Sequence, residues 1–143
     1  IWPGRVQKLD AGALAAIWPH QPIWLDGAHN AHGATALAAT LHTINDGKWN
    51  VICGALNTRD PAEFLAPLTQ LSGRVACLTI PDQDASLSAT EMSTTARHLG
   101  LDASPAATLA ACFDLLDQTA PVIICGSLYL AGHILIQNKT LPV

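Results

Sequence analysis

The sequence predicts an α/β fold, a Rossmann-like three-layer α/β/α domain built on a mostly parallel sheet. Three observations carry this. Short, largely apolar runs bounded by turn residues alternate with patterns of helical period. The connections between them are short, and repeated β–α alternation selects right-handed crossovers onto one sheet. The length of 143 residues, half of them apolar, fills one core rather than two.

Taken in chain order, Gln7–Leu9 is expected to add an extra edge strand before the alternation begins. Pro22–Asp26, Trp49–Leu56, Val75–Ile80 and Pro121–Gly126 read as strands buried on both faces, with a shorter one near Leu101–Ala103. After Asn30, the residues Ala34, Leu37, Ala38, Leu41 and Ile44 share a helical face. Asp60-Pro61 with Glu63 gives an N-cap, a first-turn proline and a first-turn acid, and Gly73 is expected to close that segment. Ser88 and Glu91 have capping-box spacing for a helix ending near Gly100. Ser104-Pro105 is expected to open a helix whose Leu109, Cys112, Phe113 and Leu116 lie together. A last helix follows Ser127, carrying Leu128, Ala131, Ile134 and Leu135.

Composition narrows the function. Seven Lys and Arg face eleven Asp and Glu, a formal charge of −4 with no basic run, which argues against nucleic acid or an anionic membrane as main partner. Charged residues are 13 % of the chain, against about 25 % in soluble domains, so part of the surface is expected to meet another domain or subunit. Cys53, Cys77, Cys112 and Cys125 form no C-x-x-C pair and read as reduced, buried thiols of a cytoplasmic protein. No apolar stretch approaches the ~18 residues that span a bilayer, and no signal sequence opens the chain. The first residue is Ile1, and Trp2-Pro3-Gly4-Arg5 begins without a leading element, as expected of a piece of a longer protein.

In an open α/β sheet, ligands bind beyond the carboxyl ends of the strands. The first such strand ends in Leu25-Asp26-Gly27-Ala28-His29-Asn30. Asp26 there can accept hydrogen bonds from sugar hydroxyls, and Gly27-Ala28 lets a ligand approach the backbone. His29 and Asn30 fall at a helix N-terminus, which favours an anion; the plainer role for Asn30 is a cap. The last strand ends in Cys125-Gly126-Ser127-Leu128-Tyr129-Leu130-Ala131-Gly132, where Ser127 either binds a carboxylate with the helix end or is an N-cap alone. Arg5, one of four arginines, follows Pro3-Gly4, whose rigidity can aim it at a phosphate.

Other chemistries lack their parts. His29 and His32, with His42 further on, have no Cys or acid at ligand spacing, so no metal site is assigned. The G-x-S-x-G elbow of hydrolases, the G-x-G-x-x-G dinucleotide fingerprint and the G-x-x-x-x-G-K-[ST] phosphate loop are all missing.

Pro3-Gly4-Arg5, Leu25–Asn30 and Gly126–Gly132, in this order and separation, together resemble the C-terminal domain of folylpolyglutamate synthase/dihydrofolate synthase, within the Mur ligase superfamily. Gly54–Pro61 also resembles that family's glycine–basic–aspartate turn, and the likeness covers essentially residues 1–143 as one domain. It departs at Ala31, where a proline usually follows His-Asn, and Arg59 stands where lysine or arginine occurs. The resemblance implies a share in an ATP-dependent ligase that phosphorylates a folate or dihydropteroate carboxylate and joins L-glutamate to it, with Mg2+ at the phosphates. It implies ATP contacts by Arg5 and Asp26, and places His29, Asn30 and Ser127 near the incoming glutamate and transferred phosphate. The phosphate loop and the magnesium ligands are implied to belong to a preceding central domain that this chain lacks, so that the chain holds half of an interdomain site and is inactive alone. Two further readings stand beside it: the equivalent domain of a peptidoglycan-precursor ligase, which the Ser-Leu-Tyr-Leu-Ala-Gly run disfavours, and a non-catalytic nucleotide-binding or interaction module.

Overall fold

The computed structural model describes residues 6–139; Arg5 lies outside them. In chain order the elements are β1 (Gln7–Lys8), α1 (Ala13–Ile17), β2 (Ile23–Leu25), α2 (Ala31–Ile44), β3 (Trp49–Cys53), α3 (Pro61–Leu65) with a 3-10 turn (Ala66–Leu68), β4 (Ser72–Leu78), α4 (Ala89–His98), β5 (Asp102–Ala106), α5 (Leu109–Asp114), β6 (Val122–Cys125) and α6 (Leu128–Gln137). The strands make one six-stranded sheet in the order β1-β2-β6-β3-β4-β5. All neighbours are parallel except β1, which runs antiparallel along β2. The three-layer α/β fold and the edge strand stand as the sequence predicts.

Two cores follow from the two faces of the sheet. One packs Leu14 and Trp18 of the α1 segment, Leu109, Cys112 and Phe113 of α5, and Leu130, Ala131, Ile134 and Leu135 of α6 against Ile52, Ile124 and their neighbours. The other packs Ala34, Leu37 and Leu41 of α2, Phe64, Leu65 and Leu68, and Met92 and Ala96 of α4 against Val51, Cys53 and Ile123. β3 and β6 are buried along their whole length; β6 is an unbroken apolar run, and β3 is interrupted only by Asn50, whose buried amide donates to the Asp117 and Ala120 carbonyl oxygens.

Four local expectations change. Ser104 and Pro105 lie inside β5, and α5 starts at Leu109, capped by the Thr108 hydroxyl, which accepts the Ala111 N–H at 3.1 Å. β5 is the outer strand, where a residue without an N–H is tolerated. Gly73 sits within β4 and closes no helix, because Pro67 tightens α3 into the 3-10 turn well before it. Ile44, at the end of α2, is 39 % exposed, and Leu128 of α6 is 46 % exposed, so neither joins the core stripe of its helix. The short helix α1 was not expected. Among the described residues all four cysteines are free and buried.

Candidate active site at the carboxyl ends of three strands

The order of strands makes the site. β6 inserts between β2 and β3, and its following helix α6 packs on the opposite face from α2 and α3. Chains leaving neighbouring strands to opposite faces open a crevice at the carboxyl ends. A cleft of about 230 Å3 occupies that crevice between β3 and β6. Its polar rim is His29, Thr58, Arg59, Asp60 and Ser127; Leu56, Phe64 and Leu128 give it apolar walls. A second groove, of about 410 Å3, continues past His29 along Val6, Asp26, Asn30 and the start of α2.

The floor depends on one glycine. Gly126 has φ +118°, and a Cβ there would lie 2.2 Å from the Gly54 carbonyl oxygen. Only a residue without a side chain lets β6 turn this closely over β3. The turn delivers Ser127 to the head of α6, where it is 3 % exposed and its Oγ accepts the Tyr129 N–H at 3.0 Å and, more weakly, the Leu130 N–H at 3.5 Å. The capping role is real, and it leaves the hydroxyl proton available for donation into the cleft.

Asn30 caps α2, its side-chain oxygen accepting the Gly33 N–H at 2.8 Å. His29 is exposed at the meeting of the two grooves. Its Nδ1 lies 3.2 Å from the Gly27 carbonyl oxygen. A carbonyl can only accept, so Nδ1 carries the hydrogen of this bond. Asp26 differs from the sequence picture of a free strand-end carboxylate: it is 6 % exposed, and it accepts the Ala28 N–H at 2.7 Å and the Val6 N–H at 2.9 Å.

Arg59 is the residue that sequence reasoning left outside the site. It is exposed, on the loop from β3 to α3, and lines the same cleft as Ser127. Asp60 beside it is occupied as the cap of α3, accepting the Ala62 N–H at 3.0 Å. Among the described residues no three His, Cys, Asp or Glu side chains converge to hold a metal ion. No helix among them is long and apolar enough to cross a membrane.

Comparison with known proteins bears on the family and the fold. Residues 15–137 match the family described as dihydrofolate synthetase, C-terminal domain. The chain belongs to this family. It is 32 % identical to the folylpolyglutamate synthase of Lacticaseibacillus casei, over 93 % of this chain and 32 % of that protein. The bifunctional folylpolyglutamate synthase/dihydrofolate synthase of Yersinia pestis, solved with AMPPNP and a Mn ion, matches 95 % of this chain and 31 % of its own at 26 % identity and a TM-score of 0.76. The Mycobacterium tuberculosis folylpolyglutamate synthase, solved with ADP and AMPPCP, shares the fold at 22 % identity and a TM-score of 0.81, covering all of this chain and 34 % of its own. The chain thus spans about a third of the length of these relatives. It is a C-terminal domain of the folylpolyglutamate/dihydrofolate synthase kind, with the mixed sheet of that domain.

Proposed function

We propose that this domain forms one wall of the active site of an ATP-dependent ligase that joins L-glutamate to the carboxylate of a folate or dihydropteroate. The observation that carries this is the cleft at the strand-order switch, where His29, Arg59 and Ser127 converge in a chain of this family. In the proposed reaction a carboxylate oxygen of the pterin substrate attacks the γ-phosphorus of ATP, and ADP leaves. The glutamate nitrogen then attacks the acyl carbon, the bond to phosphate breaks, and an amide remains once the nitrogen has lost its extra protons. Mg2+, when bound, neutralises the phosphates; its ligands and the phosphate loop are assigned to a preceding domain.

This chain's share is binding and orientation. Arg59 faces a carboxylate of the incoming amino acid, and the Ser127 hydroxyl donates to the same group beside the positive end of α6. His29 Nε2 accepts a proton from the ammonium that must become a nucleophile. Arg5 is assigned to the ATP phosphates and Asp26 to the nucleotide side of the second groove; Asn30 caps the helix end that lines that groove. Two features support a half-site. The cleft and the adjoining groove meet at His29 and are both open to solvent on the side that a second domain would cover. Leu128 and Tyr129 at its rim are 46 % and 57 % exposed, an apolar edge suited to another domain. The four buried thiols suit a reducing, cytoplasmic setting.

Arg59→Ala in the complete enzyme tests the assignment. Loss of a charge-assisted contact of about 1.5–3 kcal/mol raises the KM for glutamate roughly 10- to 150-fold. Arg59 is exposed, so the melting temperature stays with the parent's. An unchanged KM for glutamate removes Arg59 from the site.

A further inference from the structure

Two side chains line both the cleft and the adjoining groove: His29, from the turn before α2, and Leu128, the first residue of α6. Both are seated on Gly27. The His29 Nδ1–H donates to the Gly27 carbonyl oxygen at 3.2 Å. Leu128 lies over the α-carbon of the same residue, where an added Cβ would come 2.4 Å from Leu128 Cδ2 and 3.3 Å from its Cγ. Gly27 is not among the glycines with a left-handed backbone, so the absent side chain serves space and not conformation. The glycine makes room for the leucine.

Leu128 does nothing for the packing of the sheet. It belongs to neither core, and it is the one apolar side chain shared by two openings whose facing groups are largely polar. A single exposed leucine needs no explanation by itself. Its seat does: a ridge of one imidazole and one aliphatic side chain stands on one glycine where cleft and groove meet.

We propose that Leu128, seated on Gly27, is a specificity-determining residue that closes the junction of cleft and groove against water, so that the acyl phosphate is taken by the amine. This rests on the ligase reading above. With the amino acid in the cleft and the nucleotide on the side of the groove, the acyl phosphate forms at their junction, beside Leu128. Two nucleophiles then compete for it. The amine attacks the acyl carbon, the bond to phosphate breaks and an amide remains. Water attacking the same carbon breaks the same bond, returns the carboxylate and loses a proton to solvent, so that ATP is spent to ADP and phosphate with nothing joined. Keeping water out protects such an intermediate, and an aliphatic side chain offers no hydrogen bond to hold a water molecule there.

The test reads phosphate released and amide formed by the complete enzyme with ATP, a folate carboxylate and glutamate, in the parent, Leu128→Ala, Leu128→Met and Gly27→Ala. The parent is expected to release about one phosphate per amide. Leu128→Ala opens the junction, and the ratio of phosphate to amide is expected to rise at least about threefold. Gly27→Ala keeps the leucine but pushes its end off the seat, and should raise the ratio in the same way. The two changes combined should exceed the larger by no more than about twofold, because both remove one contact. Leu128→Met restores apolar bulk and should bring the ratio back to within about twofold of the parent's. A ratio unmoved in Leu128→Ala, whatever happens to kcat or melting temperature, makes Leu128 a packing or docking residue and overturns the proposal. A rise in Leu128→Ala with none in Gly27→Ala overturns it too, since the seat would then be irrelevant. Excess phosphate that forms without the folate would come from water attacking ATP itself, and would also overturn it. A parent with no glutamate-dependent phosphate release defeats the ligase reading first, an outcome distinct from an active parent whose ratio Leu128→Ala leaves alone.

Discussion

Gly126→Ala is the substitution whose effect follows most directly from the geometry. A methyl group there meets the Gly54 oxygen at 2.2 Å, its carbonyl carbon at 3.1 Å and its nitrogen at 3.2 Å. The first contact is roughly 1 Å inside ordinary nonbonded separation, and all three atoms are backbone of β3's exit, which cannot swing aside as a side chain can. The backbone at φ +118° adds a conformational penalty of about 1–3 kcal/mol for a residue with a Cβ, and forcing the strands apart adds about another 1–3 kcal/mol. The sum, roughly 2–6 kcal/mol, is a large share of the 5–15 kcal/mol typical of a domain. At about 3 °C per kcal/mol for a chain of this size, the melting temperature should fall by roughly 6–18 °C. The control is Gly132→Ala, within α6, where an added Cβ meets nothing within 4 Å and helix propensity favours alanine by about 1 kcal/mol. Thermal melting of the two variants should therefore move in opposite directions. If Gly126→Ala melted with the parent or above it, the close approach of β6 to β3 would not be a requirement of the fold.

Three shorter predictions concern the rest of the molecule. The Glu91 carboxylate accepts the Ser88 N–H at 3.0 Å, and this bond holds its pKa below the ordinary value. A depressed pKa contributes stability above the unfolded value of about 4.3 and loses it as pH falls through the folded one, so a Glu91→Gln deficit measured at pH 7 should vanish on acidification, and a deficit that persisted would refute the box. Ser88→Ala should cost about 1 kcal/mol in denaturant titration through loss of the same cap, whereas no loss would mean α4 is held by packing alone. Burial raises the Cys112 thiol to about 12 and Cys125 further, and the Cys77 thiol, then burial, raise Cys53. The hydrogen bond with Cys53 lowers the Cys77 thiol, so burial alone shields it. All four thiols should resist alkylation until the chain unfolds; rapid labelling of any one in the native protein would contradict the packing.

How far the sequence discloses the fold depends on how far each signal is local. Ser88 with Glu91, Asp60-Pro61 and Asn30 announce helices whose caps are made as expected, because capping joins residues two or three apart. Ser104-Pro105 misleads because proline at a helix start and proline on an edge strand look alike until strand order is known; Thr108 is the signal that places α5 correctly. α1 spans five residues, too few to show a period. The loops that carry Asp26, His29, Asn30 and Ser127 are legible because they follow the ends of apolar strands. Arg59 is not, since it shares a cleft with Ser127 only when β6 inserts beside β3. The bonds of Asp26 to Val6 and Ala28 are equally hidden, one depending on the antiparallel edge strand and the other on the turn it closes.

The central claim is that this domain is one wall of a ligase site completed by another domain. Glutamate-dependent phosphate release from ATP, with a folate carboxylate as acceptor, measured on the 143-residue chain alone and on the same chain joined to a phosphate-loop domain of this family, tests it most directly. The account predicts no turnover by the chain alone and amide formation by the joined protein. Turnover by the chain alone, with complete enzyme excluded from the preparation, would contradict it.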